Sequence, residues 1–215
     1  TIRDTSLKRD EKIQKILPHW SIETDISQDE QYVQFEMKAQ RKVHRIQLDE
    51  EFEIEGYAYN DLTPSPVLIA KKGQILKVDF LNDLDVPTTI HWHGIKSPEN
   101  MDGVPYAHEP VGAGQYFDIE IPLEQEGTFW FHPHYDTARQ VDMGLYGMLI
   151  VETQEHPLAE YPKRFLLFDD WKFPQMSTDT EHSHLYEHGN WLVNQYYQPK
   201  IEVDEPTVFH IVNAS

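Results

Sequence analysis

Two short stretches of the sequence set imidazoles side by side: IHWHG, with His91 and His93, and FWFHPHYD, with His132 and His134. In an extended strand residues i and i+2 project from the same face, so each pair presents its rings together, with Trp92 turned to the opposite face. Pro133, between His132 and His134, removes a ladder donor and suits a strand end. Where two such strands converge, four neutral imidazoles form a nitrogen-rich site suited to copper, zinc, iron or nickel rather than calcium or magnesium. Three such ligands serve one catalytic zinc, but two parallel pairs serve more than one ion more naturally. Nine positions beyond His93, Asp102 in MDGVP places an acid nearby. The same Asp-Gly step also satisfies a turn for backbone reasons alone.

The elements that must carry these residues read as strands. Segments 31–37, 43–48 and 52–59 alternate or are rich in β-branched and aromatic residues, and 74–82, 88–94, 115–122, 127–132 and 145–152 continue the pattern with turn residues between them. The expected architecture is all-β, a sandwich of two packed sheets with loops at one end able to carry a site. Helix is expected only in short pieces, over 6–17, where Ile13, Ile16 and Leu17 share a face, and as a turn near 135–142. The polar stretch TQEHPLAEYPK (153–163) ends one strand, and RFLLFDDW (164–171) opens a second unit. NWLVNQ and PTVFHIVN supply further strands. Closing an independent sandwich takes about 100 residues, so the second unit is expected to be incomplete. The division is an N-terminal arm over 1–40, a first domain over 41–155 and the beginning of a second over 156–215.

Composition removes several classes of function. The formal charge is -19, with 37 Asp+Glu against 18 Lys+Arg, which repels nucleic acid and anionic lipid. No apolar run reaches the roughly 20 residues of a membrane span, and TIRDTSLKRDEKIQKILPHW lacks the apolar core of a signal peptide. Cys is absent, which excludes a disulfide, a thiolate nucleophile and a thiolate-bound metal within this chain. GAGQ (112–115) lacks the lysine and helix of a phosphate loop, and no Gly-X-Ser-X-Gly occurs. EHSHLYEH groups His182, His184 and His188, either as an accessory metal loop or as a solvated polar loop. No motif assigns His108 a role, and His19, His44, His156 and His210 read as surface or packing residues. Trp92, Phe129, Trp130 and Phe131 read as packing around the site.

IHWHG, MDGVP, GTFWFHPHYD and RQVDMGLYGMLIVE, in this order and spacing, resemble the first domain of the laccase-like multicopper oxidases, whose domains have the cupredoxin-like Greek-key sandwich fold. The resemblance is strong over about 50–155 and continues more weakly through RFLLFDDW, WLVNQ and FHIVNAS, similar to the opening strands of the second domain. His-Pro-His points to the bacterial branch. The resemblance implies that His91 binds a type 2 copper, His93 and His132 one type 3 copper, and His134 the other, in a trinuclear cluster. It also implies that Asp102 assists proton delivery as O2 is reduced. The parent activity would couple one-electron oxidation of phenolic, aromatic or metal-ion donors to four-electron reduction of O2 to water, in an extracytoplasmic protein. The family's type 1 copper needs a cysteine in the last domain, so this chain alone is expected not to turn over. Three readings stay open: an N-terminal part of an oxidase whose remaining C-terminal domains lie in the same chain, one subunit of a split oxidase, or a non-catalytic copper-binding module.

Overall fold

The computed structural model describes residues 17–47, 51–153, 155–171 and 190–215. The helix expected over 6–17, apart from Leu17, and the loop with His182, His184 and His188 fall outside the described residues. Within them the chain is all-β. In order it forms β1 (Tyr32–Gln47), β2 (Glu51–Tyr59), β3 (Leu68–Lys71), β4 (Ile75–Asn82), β5 (His91–His93) and β6 (Tyr116–Pro122). Next come β7 (Gly127–His132), the short helix α1 (Thr137–Asp142), β8 (Gly147–Glu152), β9 (Lys163–Trp171), β10 (Asn190–Val193), β11 (Tyr196–Tyr197) and β12 (Val208–Asn213). Three four-stranded sheets result, ordered β2-β1-β4-β6, β3-β8-β7-β5 and β11-β10-β9-β12.

Alternation builds the first sheet: along β4, Leu76, Val78 and Phe80 are buried while Ile75, Lys77 and Asp79 are only half-buried. The two strands expected over 31–37 and 43–48 are one, β1, because the strand changes partner at Ala39. Residues 32–39 run parallel to β4, and residues 39–47 run antiparallel to β2. The polar run between the expected strands therefore keeps its backbone bonds. A short strand not foreseen, β3, pairs parallel with β8.

The first core lies between the first two sheets and includes Phe35, Tyr59, Val78, Phe80, Trp92 and Phe131. Leu149 and Val151 of β8 point into it, while Met148 and Ile150 point the other way, into a second core with Val67, Tyr146, Phe165 and Leu167. This explains the unbroken apolar run MLIV: a strand buried on both faces has no polar face to alternate with. The second sheet is thus a middle layer, covered on one side by the first sheet and on the other by β9 and β12. In the third sheet β9 runs antiparallel to β10 and parallel to β12, as β1 does to β2 and β4.

Two buried titratable groups lie where the third sheet meets the first two. His44 on β1 is fully buried, edge-on to Trp171 at 4.8 Å, and burial with Lys42 nearby lowers its pKa to about 4. Asp169 on β9 is 5% exposed, and burial raises its pKa to about 7. The two pull in opposite directions. Between about 6.5 and 4 an unfolded histidine binds a proton that buried His44 refuses, so its contribution to stability falls as pH falls. Between about 4 and 7 folded Asp169 keeps a proton that the unfolded chain has lost, so its contribution falls as pH rises. Asp169→Asn removes only the second effect. The variant's stability relative to wild type should rise by roughly 2 kcal/mol from pH 5 to pH 7, measured by urea unfolding. Parallel pH profiles for the two proteins would contradict the protonated state of Asp169.

Candidate metal centre

β5 and β7 pair antiparallel with His91 opposite His132, Trp92 opposite Phe131 and His93 opposite Trp130. The pleat sends Trp92 and Phe131 into the first core, their rings 5.2 Å apart, and leaves His91, His93, Trp130 and His132 on the opposite face. Trp92 is an anchor that fixes the two histidines beside it. His134 follows Pro133 beyond the end of β7, and its backbone N–H donates to Thr89 Oγ1 at 2.8 Å. The segment before β5 is held in turn by α1: Thr88 donates to Gln140 Oε1 at 2.6 Å, and Gln140 Nε2 donates to the Pro87 carbonyl at 2.9 Å.

Two of the rings have their tautomers set by carbonyl groups, which can only accept. His91 Nδ1–H donates to the Asp102 carbonyl oxygen at 2.7 Å, and His132 Nδ1–H donates to that of Pro133 at 2.9 Å. Each Nε2 then carries a lone pair and no proton, the arrangement found for metal-binding histidines. His132 Nε2 lies 3.4 Å from His93 Nδ1. Two nitrogens each about 2.0–2.1 Å from one ion at a near-tetrahedral angle stand about 3.4 Å apart, so this pair already has the separation a shared ion requires. Ligand atoms of His91, His93 and His132 all lie within 4.8 Å of one another. The ring of His134 stands 5.0 Å from that of His91 and 6.0 Å from that of His132.

The centre is buried at one end and open at the other. His132 is 5% exposed, while His93 and His134 face solvent. Burial, with the neighbouring histidines adding to it, lowers the His132 pKa to about 4, so at neutral pH the ring is deprotonated and available as a ligand. Trp130 stacks on His132 with centroids 4.0 Å apart and lies 5.3 Å from His93.

Asp102 sits behind His91, on the side of Nδ1 rather than of the free Nε2. One carboxylate oxygen lies 3.6 Å from His91 Nδ1 and accepts the Ser97 hydroxyl proton. Gly103 has φ +72°, and a Cβ there would fall on the Ile90 carbonyl oxygen, so the glycine is required for this turn to pack against β5. All five residues singled out in the sequence come together. Trp130 packs around the site as expected, on the face of His132 by its i−2 position, whereas Thr89 and Ser97 were not foreseen and no motif marks them. His108 stacks on Phe117 instead, at 5.1 Å.

The family model for multicopper oxidases matches residues 41–156. The chain belongs to the multicopper oxidase family. Copper resistance protein A of Pseudomonas syringae pv. tomato is 36% identical over 116 residues, which are 53% of this chain and 19% of that protein. Multicopper oxidase mco of Staphylococcus aureus is 31% identical over 170 residues, 73% of this chain and 37% of that protein. The solved multicopper oxidase of Campylobacter jejuni, described as a metallo-oxidase, matches with a TM-score of 0.75 at 27% identity, over 87% of this chain and 41% of that one. The chain therefore spans less than half the length of each of these multicopper oxidase relatives. The fold is cupredoxin-like, and copper is the family's metal. Four clustered imidazoles, two of them with Nδ1 tied to a backbone carbonyl so that Nε2 can bind a metal, fit it.

Proposed function

We propose that this chain supplies one half of a trinuclear copper cluster in a bacterial laccase-like oxidase, with His91 serving the type 2 copper, His93 and His132 one type 3 copper, and His134 the other. The observation that carries this is the His93–His132 nitrogen pair at 3.4 Å, with His91 close enough to join the same cluster. Bound copper would supply the electrons, gathered from phenolic, aromatic or metal-ion donors, with which O2 is reduced to water. The residues here do the positioning and the proton handling. β5 and β7 hold the imidazoles, the Asp102 and Pro133 carbonyls fix their tautomers, and the Asp102 carboxylate, oriented by Ser97, holds a proton acceptor beside His91.

The other cluster ligands and the thiolate that admits electrons lie outside these 215 residues, which contain no Cys. The first domain starts with β1, because Val33, Phe35, Met37 and Ala39 belong to the first sheet and its core rather than to an N-terminal arm, and it runs to 155; 156–215 begin the second, a division supported by the strand pattern that the third sheet shares with the first. Phe209, Ile211 and Trp191 of the third sheet are exposed, apolar surface that the rest of a second sandwich would cover. The partners are thus the remaining C-terminal domains, in the same or another chain, together with O2. The resemblance and the copper-resistance relative favour an extracytoplasmic location. Among the described residues no helix is long and apolar enough to cross a membrane.

The test is made in the complete oxidase that contains this chain. Replacing His93 and His132 with Ala should lower copper content while the visible band of thiolate-bound copper persists. Unchanged copper content would defeat the assignment.

A further inference from the structure

We propose that Thr89 is a positioning residue for the copper centre: its hydroxyl holds the peptide group that joins Pro133 to His134, and that peptide group in turn orients the imidazole of His132. This rests on the reading of the histidine pairs as copper ligands and adds to it a residue that binds no metal itself.

The backbone ladder between β5 and β7 ends at the pair His91 and His132, and Pro133, which has no N–H to donate, follows. Carried two steps further, the same register would set Thr89 opposite His134. There a side chain takes over from the backbone, for the His134 N–H donates to Thr89 Oγ1 at 2.8 Å. The carbonyl of the same peptide group is that of Pro133, which accepts the His132 Nδ1–H bond at 2.9 Å. A trans peptide group is a rigid plate whose C=O and N–H point in opposite directions, so these two bonds grip it at both ends and prevent it from turning. The direction of the Pro133 carbonyl, and with it the ring of His132, is thus set by a hydroxyl on the segment that leads into β5.

Thr89 is itself held from behind. It is fully buried, and its neighbour Thr88 exchanges two backbone bonds with Val111 while donating its hydroxyl to Gln140 of α1. Gln140 also reaches the Pro87 carbonyl. The Thr89 hydroxyl therefore has a fixed place from which to hold the plate. Without it the Pro133 carbonyl can swing away, and a His132 ring deprived of this acceptor is free to carry its proton on Nε2. That nitrogen stands 3.4 Å from His93 Nδ1 and must be bare to bind a metal. A single hydroxyl on one strand segment thereby governs both the tautomer and the direction of a ligand on the other.

The test is made in the complete oxidase, with Thr89→Val and Thr89→Ala, which lack the hydroxyl, and Thr89→Ser, which keeps it. Equilibrated against graded copper buffers, Thr89→Val and Thr89→Ala should hold copper about ten- to a hundredfold more weakly than wild type, the usual cost of losing a group that orients a metal-binding histidine, while Thr89→Ser should stay within about threefold. Crystal structures of the four proteins with copper removed read the cause directly. Wild type and Thr89→Ser should keep the bond from His132 Nδ1 to the Pro133 oxygen, and the other two should show it broken. General destabilisation would lower the thermal midpoint but would give neither rescue by serine nor a change confined to this ring. Retention of that bond, or of wild-type copper affinity, in Thr89→Val and Thr89→Ala would overturn the proposal. A Thr89→Ser variant as weak as Thr89→Val would overturn it too, since the methyl rather than the hydroxyl would then matter. The metal-free structures bear on Thr89 whichever metal the site takes, whereas the reading of the histidines as copper ligands is decided by the copper content of the His93→Ala/His132→Ala oxidase.

Discussion

Copper-loaded, purified chain given a phenolic donor and air should consume oxygen no faster than the His93→Ala/His132→Ala variant. Reducing O2 to water takes four electrons and four protons, and in this family electrons enter through a thiolate-bound copper. None of the 215 residues is Cys, so no thiolate can hold such an ion here. Adding the Cys-bearing remainder of the oxidase should restore uptake, read with an oxygen electrode as a change from background to sustained turnover. Continuous turnover by the chain alone would mean that electron entry does not need the missing thiolate and would sink the half-cluster reading.

In the complete enzyme, Asp102→Asn should keep its copper yet slow oxygen reduction by about a hundredfold, the scale at which losing a positioned proton donor or acceptor is felt. The geometry separates the two quantities. His91 is oriented by the main-chain carbonyl of residue 102, which the substitution does not touch, and an amide oxygen can still accept the Ser97 hydroxyl proton. Gly103 rather than the acid is what the turn requires, and Asn suits such a turn as well as Asp does. What disappears is a group able to take up and pass on a proton. The defect should widen as pH rises and bulk protons become scarce. Copper content and oxygen uptake on one preparation, measured across pH, check both halves; near wild-type uptake would reduce Asp102 to a turn residue.

The site was more legible than the fold around it. His-X-His on a strand fixes which rings share a face, because the period of two leaves no alternative once Trp92 is buried. Converging the two pairs needed only that β5 and β7 be neighbours. Less of the layering could be read. The run MLIV gives no sign of which face meets which core, since its residues are apolar throughout, and the continuity of β1 depends on a change of partner at Ala39 that involves backbone atoms alone. Ser97 and Thr89 act through single hydroxyl contacts across a loop, and a hydroxyl carries no periodic signal.

β8 has a bearing on how this protein can be taken apart. Dividing the chain at 155/156, where a polar stretch with two prolines invites the cut, would leave the histidines on the first piece but bare the outer side of its middle sheet. Val67, Tyr146, Met148 and Ile150, each at most 1% exposed in the intact chain, would then form a continuous greasy strip facing water. A recombinant first domain would tend to self-associate through that strip, and metal-binding data from it would describe an aggregate. The histidine pairs and the opening strands of the neighbouring unit are inseparable in practice, because one strand serves two interiors.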